Sequence, residues 1–183
     1  MLVNEFPIQR VNEENIRISL QPKCNRQIRT FKSLLTKHFA PISRNAILLN
    51  NCSSTVLPCN IPAISVNTHF ETLNCSQANA NISCLFNVPN GYFFDYREYA
   101  DQLEHCRYFL SSISSEIANV SGVNSLDIQV MDLGWWLPGK CDCSDHADCI
   151  EFVTPDKGQG HRCKCRDGFK GDGFSGGAGC RRG

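Results

Sequence analysis

The sequence has no run of 18 apolar residues anywhere in its 183 positions. A helix needs about 20 mostly apolar residues to cross a bilayer, so we expect no direct membrane insertion by this chain. The first ten residues, MLVNEFPIQR, also lack the basic start and the apolar stretch of a signal peptide. Because other features indicate secretion, we expect a chain that is incomplete at its N-terminus.

Acidic residues are missing from one long segment. Residues 15–70 contain no aspartate or glutamate but carry seven lysines and arginines. Residues 71–140 contain eight acids and three bases, so the net charge of zero hides a segregation of charge. An acid-free basic segment favours binding of a polyanion. The alternative is that these cations pair with the acids of residues 71–140 inside the fold.

The stretch 26–39, RQIRTFKSLLTKHF, has apolar residues at helical spacing. On one continuous helix, Arg26, Arg29 and Lys37 would share the opposite face, with Lys32 at its border. The pattern therefore predicts a helix with three cations directed together into solvent. A second helix is predicted over residues 96–110.

Strand signals dominate the rest of the first 138 residues. Apolar and polar residues alternate over 16–20 and again over 126–130, as in half-buried strands. The expected fold class is a small, disulfide-rich, predominantly β protein with one or two short helices and two modules in tandem.

Recognisable catalytic motifs are missing as well. The sequence has no GxSxG, no HExxH and no glycine-rich phosphate loop, and the basic segment has no carboxylate to act on a sugar bond. His146 and His161 lie among cysteines, but those cysteines form C-x-C pairs, whereas zinc sites favour cysteines two to four residues apart. We therefore expect a non-catalytic protein without metal or cofactor.

Cysteine, by contrast, is abundant, with twelve residues. Six lie in the last 43 residues and six in the first 106, so each block can close its own bridges, with fifteen pairings possible for six cysteines. Cysteine used this freely is typical of disulfide scaffolds in oxidising compartments. The expected location is extracellular or at the cell surface.

Four Asn-x-Ser sequons support that location. They are all in the first block, and none is followed by proline. Chance occurrence in a chain rich in Asn and Ser is the alternative. We predict glycosylation at Asn51, Asn74, Asn81 and Asn119.

The segment GWWLPGKC, 134–141, marks a module boundary, because Gly and Pro-Gly interrupt the preceding strand and cysteine density then rises. It predicts modules of residues 1–138 and 139–183. Trp135 and Trp136 could stack on a sugar ring, but packing between modules is the favoured interpretation.

The ending, with CKC before GFKGDGF and a last cysteine, resembles an EGF-like module. That resemblance implies the pairs Cys141–Cys149, Cys143–Cys163 and Cys165–Cys180, with Phe169 packed on a neighbouring bridge. The calcium-binding variant needs acids before its first cysteine. Here Pro138, Gly139 and Lys140 stand there, so no calcium is expected.

Further upstream, ISLQPKCNRQI, FAPISRNAILLNNCSS, CNIP and ANISC resemble the extracellular region of plant wall-associated kinase-like receptors. The resemblance implies a galacturonan-binding first module, and therefore the acidic cell-wall polysaccharide pectin as partner rather than a nucleic acid. An extracellular protein or peptide bound through the EGF-like segment is the alternative. The family's opening Tyr-Pro-Phe-Gly stretch, membrane helix and kinase are not in this chain. The residues that we predict to bind polysaccharide are Arg26, Arg29, Lys32, Lys37 and Arg44.

Overall fold

A computed structural model describes residues 1–53, 82–86, 91–117 and 124–183 of the chain. The chain divides into two compact units. The first contains Met1–Thr36 and Ala40–Gly134, and the second contains Lys37–Phe39 and Trp135–Gly183. The modules 1–138 and 139–183 remain a prediction, and the observed division falls within the same GWWLPGKC segment.

One antiparallel sheet is built from strands distant in sequence. Its strand order is β1 (Leu2–Val3), β2 (Phe6–Val11), β3 (Asn15–Ser19), β9 (Val130–Trp135) and β4 (Phe39–Pro41). The central pair joins β3 to β9, with Ile16 opposite Leu133 and Ile18 opposite Met131. Ile18, Met131 and Leu133 are fully buried, so this pairing builds the core that the alternation over 16–20 predicts.

A second antiparallel sheet has the order β6 (Ser83–Phe86), β5 (Asn45–Cys52), β7 (Cys106–Ile117) and β8 (Asn124–Ile128). Its core cluster is Ala46, Leu48, Leu110 and Ile113. The strand predicted over 126–130 is interrupted, because Gln129 has a φ of 58° between β8 and β9. Such a backbone conformation ends one strand and redirects the chain into the next.

Both predicted helices are shorter than expected. Helix α1 covers only Ile28–Lys32, and helix α2 covers Tyr96–Glu104. After α2 the chain enters β7, where Cys106 lies opposite Cys52 and forms a disulfide with it. Tertiary pairing thus overrides the helical spacing of the sequence, as short helices contribute little stability of their own. The predicted fold class is confirmed: the chain is a small, disulfide-rich, mostly β protein with two short helices.

The second unit has little apolar core and is held by bridges. A sheet of β10 (Leu137–Pro138), β12 (Gln159–Cys165) and β11 (Ala147–Val153) lies beside a hairpin of β13 (Phe169–Gly171) and β14 (Cys180–Arg182). Its disulfides are Cys141–Cys149, Cys143–Cys163 and Cys165–Cys180, the pairing that the resemblance implies. Three bridges take the place of the core that so short a segment cannot build.

Cysteines of the first unit are also bonded. Besides Cys52 and Cys106, both Cys24 and Cys84 are in disulfides, and none of the described cysteines is free. Cys59 and Cys75 lie outside the described residues. No helix in the described part of the chain combines the length and apolar character needed to span a bilayer.

The two tryptophans pack within the second unit. Trp136 is buried, and the Trp135 ring lies 6.3 Å from the Phe174 ring and 5.8 Å from the guanidinium carbon of Arg162. These contacts support a packing role for the pair rather than exposed sugar stacking.

Gly160 tests this packing. A Cβ at Gly160 would lie 2.5 Å from Cδ1 of Trp136. Because overpacking forces neighbouring groups to shift, we expect Gly160→Ala to lower the free energy of unfolding by about 1–3 kcal/mol. Denaturant unfolding followed by tryptophan fluorescence measures the loss. Gly176→Ala is the matched control, since a Cβ there meets nothing within 4 Å. Equal stability of the two variants would contradict this packing.

Candidate polysaccharide-binding surface

Arg26 does not point into solvent, and the prediction of three cations on one exposed helical face is wrong. The residue precedes α1 and is only 7% exposed. Its guanidinium donates to the carbonyls of Leu110 and Gln21, each at 2.7 Å, and lies 5.3 Å from the ring centre of Phe6. Burial lowers the pKa of Arg26, while the charge of Glu5 acts in the opposite direction. Arg26 therefore has a structural role.

Arg17 neutralises part of the basic segment within the fold. Its Nε and Nη2 donate to the two carboxylate oxygens of Asp132, both at 2.8 Å, while Nη1 donates to Asp127 at 2.6 Å. Asp132 is fully buried. The bidentate contact is the geometry in which arginine binds carboxylates most strongly.

Arg44 belongs to the same network. Its Nε donates to Asp132 at 3.1 Å, and the Ser114 hydroxyl donates to the same carboxylate. The Asn45 side chain bonds both the N–H and the carbonyl of Asp132. Burial opposes ionisation of Asp132, but the hydrogen bonds from Arg17 and Ser114 and the two guanidinium charges outweigh it and lower its pKa. For Arg17 and Arg44, internal pairing with acids of residues 71–140 is the correct interpretation.

Arg29 and Lys32 are carried by α1, which is anchored by Phe31. The Phe31 ring is fully buried and makes edge contacts with Phe94 and Phe109 at 5.7 and 5.4 Å between ring centres. Arg29 is exposed and makes no ion pair with any described residue. Because Phe31 anchors α1 in the core, the backbone positions that carry Arg29 and Lys32 are fixed.

Lys32 is half-buried and partly compensated. Its Nζ lies 4.0 Å from a carboxylate oxygen of Glu104 and 5.8 Å from the ring centre of Tyr96. An exposed pair at this distance contributes little, so Lys32 keeps capacity for an anionic ligand.

Lys37 is exposed, but it lies in the second unit rather than in α1. The five predicted binding residues therefore do not share one helix. Arg26 and Arg44 are engaged within the first unit, Lys37 belongs to the second unit, and Arg29 and Lys32 share α1.

Two exposed cations, Lys23 and Arg107, were not predicted as site residues from the sequence. The Lys23 N–H donates to the carbonyl of Leu110 in β7, and Gln27 forms an isolated bridge with Tyr108, next to Arg107. Lys23 and Arg107 are exposed and, like Arg29, make no ion pair with any residue that the structure describes. The acid-free segment signalled Lys23, whereas Arg107 lies in β7 beside Tyr108, the residue that pairs with Gln27. We call Lys23, Arg29, Lys32 and Arg107 the α1 cation group.

Asn51 is exposed at the end of β5, where a glycan could be attached. Asn74, Asn81 and Asn119 lie outside the described residues. Glycosylation at all four remains a prediction.

The cysteines of the second unit are not available as zinc ligands. All six cysteines are in disulfides, so none offers a thiolate. Within the described ranges, no three His, Cys, Asp or Glu side chains form a metal-binding group. The His146 ring instead stacks on Phe169, with ring centres 4.2 Å apart. Packing of Phe169 on a neighbouring bridge stays a prediction.

Comparison with known proteins shows similarity along almost the whole chain. Wall-associated receptor kinase-like 14 from Arabidopsis thaliana is 33% identical over 95% of this chain, and wall-associated receptor kinase-like 21 from the same plant is 33% identical over 99%. The chain spans 25% and 29% of the length of these two relatives. No family model matches the sequence. No solved structure matches it either.

Proposed function

We propose that this chain, which is similar over almost its whole length to two wall-associated receptor kinase-like proteins and spans about a quarter of their length, binds de-esterified pectin. This kinship supports the role of a receptor ectodomain at the cell surface or outside the cell, where disulfides persist. The names of the two relatives describe them as receptor kinase-like, and that description applies to those proteins. The proposal concerns binding and assigns no reaction to this chain.

The observation that carries the proposal is the exposure of Arg29 on an anchored helix. De-esterified galacturonan carries one carboxylate on each sugar, and arginine gives charge-assisted, bidentate contacts to carboxylates. Arg107 lies in β7, and Lys23 and Lys32 lie on segments that contact β7, so several carboxylates of one polymer could be engaged together. The negative charge of Glu104 beside Lys32 reduces the positive charge of the α1 cation group without cancelling it.

The experiment compares Lys23→Gln/Arg29→Gln/Arg107→Gln with the parent chain in binding to polygalacturonate. We expect an affinity loss on the order of tenfold, since exposed ion pairs contribute roughly 0.2–1 kcal/mol each. Binding of the parent chain should weaken as salt rises, because screening acts over about 8–10 Å at physiological ionic strength. Methyl-esterified pectin lacks these charges and should bind less.

The matched control is Lys164→Gln/Lys170→Gln/Arg182→Gln, which removes three exposed cations from the second unit. Both triple variants change the net charge equally. Equal losses would indicate a general dependence on charge, and an unchanged affinity in the first variant, shown to be folded, would remove the α1 cation group as the site.

A further inference from the structure

The second unit contains an open cleft of about 670 Å³. A volume of this size is within the range of ligand-binding pockets. Three of its lining residues are apolar, namely Leu137, Pro138 and Phe174, and Leu137 is 41% exposed. The lining also includes charged side chains and glycines, namely Lys140, Asp142, Asp172, Gly176 and Gly177.

His161 also lines the cleft and is only 3% exposed. Its Nδ1 lies 3.1 Å from the carbonyl oxygen of Gly139. Since a carbonyl only accepts, Nδ1 must carry the hydrogen, and in the neutral ring Nε2 then presents a lone pair. No described residue donates to this buried nitrogen. Buried polar atoms are almost always paired, so Nε2 has an acceptor position that a water molecule or a donor of a bound ligand would satisfy.

The charge of the cleft disfavours an acidic ligand. Asp172 accepts hydrogen bonds from the N–H groups of Ala178, Phe174 and Gly179, and these bonds lower its pKa, so it stays ionised. Asp142 is exposed and makes no ion pair within the described part of the chain. With Lys140 as the one cation among the lining residues, the cleft carries one net negative charge.

We propose that this cleft binds a short peptide segment in which an apolar residue adjoins a lysine or arginine. The apolar side chain packs against Leu137, Pro138 and Phe174, and the basic side chain is attracted to Asp142 and Asp172. An N–H of the peptide donates to Nε2 of His161. This site is separate from the α1 cation group and takes a ligand of opposite charge. A neutral oligosaccharide, which also carries donors, is the competing ligand.

The test uses the whole 183-residue chain, secreted with its disulfides, as bait for a display library of random seven-residue peptides. We expect selected peptides to combine Lys or Arg with a neighbouring apolar residue. His161→Asn retains an amide donor for the Gly139 carbonyl and removes Nε2, so affinity should fall about tenfold. Asp142→Asn should lower it about threefold. Asp145→Asn is the matched control, because Asp145 is an exposed acid that does not line the cleft.

Three outcomes would overturn the proposal. One is that no peptide is selected, and the second is that selected peptides bind the His161 and Asp142 variants as tightly as the parent chain. The third is that a glycan array yields neutral sugars whose binding depends on His161. If His161→Asn does not fold, the comparison of Asp142→Asn with Asp145→Asn decides alone. The Lys23/Arg29/Arg107 variant should keep its peptide affinity, which separates failure of this proposal from failure of the pectin proposal.

Discussion

Replacing Asp132 with asparagine should lower the free energy of unfolding of the first unit by about 3–5 kcal/mol, the usual cost of removing one partner from a buried ion pair. Arg17 directs two N–H groups at the two oxygens of Asp132. Asparagine offers one oxygen and turns an NH2 group toward a second donor. It also removes the carboxylate charge that lies 3.1 Å from Nη2 of Arg44.

Amide hydrogen exchange in β3 and β9 measures this loss, because these strands carry Arg17 and Asp132. Asp127→Asn is the matched control. Asp127 pairs with the same guanidinium, but its side chain is 44% exposed, so the expected loss is below about 1 kcal/mol. Similar losses in both variants would contradict the central role of the buried carboxylate.

The same residue makes stability depend on pH in a defined direction. The pKa of Asp132 is lower in the folded chain than in the unfolded chain, so its contribution is fully present above the ordinary carboxyl range. The contribution is lost as the pH falls below about 4, when the unfolded chain binds the proton more readily. Asp132→Asn should flatten this part of the acid unfolding curve of the first unit.

Removing the Cys143–Cys163 disulfide with a pair of alanines should destabilise the second unit by about 3 kcal/mol. The bridge closes a loop of sequence separation 20, and Cys163 is buried. The neighbouring backbone packs against this bridge. Cys143 forms an isolated β-bridge with Phe174, and a Cβ at Gly173, where φ is 78°, would lie 2.9 Å from the carbonyl carbon of Cys163. Both tryptophans of the chain lie in this unit, so their fluorescence follows its unfolding selectively.

The comparison is the Cys141–Cys149 pair, which closes a separation of only 8 and involves exposed cysteines. A shorter loop constrains the unfolded chain less, and its removal should cost roughly 1 kcal/mol less. A larger loss from this pair than from Cys143–Cys163 would show that loop closure does not set the stability of the unit.

The charge map, meaning the distribution of acidic and basic residues along the sequence, predicts part of the candidate site. The absence of acids over residues 15–70 correctly marked a segment with exposed cations, and Arg29 is one of them. The map could not distinguish Arg29 from Arg26, three residues earlier. Burial of Arg26 depends on carbonyls at Leu110 and Gln21, and the first of these lies 84 residues away. The cleft around His161 had no sequence signal, because turns and disulfides bring its lining residues together.

By itself the sequence predicted the likeness to wall-associated receptor kinase-like proteins, the disulfide-rich β class and the oxidising compartment, because cysteine content, alternation and motif order are properties of composition and local spacing. The tertiary structure alone decided the length of α1, which ends before Lys37, and the pairing of Arg17 and Arg44 with Asp132. These features depend on contacts between residues far apart in the chain. The register of β3 and β9 places Arg17 opposite Asp132, whose carboxylate is buried. The spacing of residues along the chain does not encode that register.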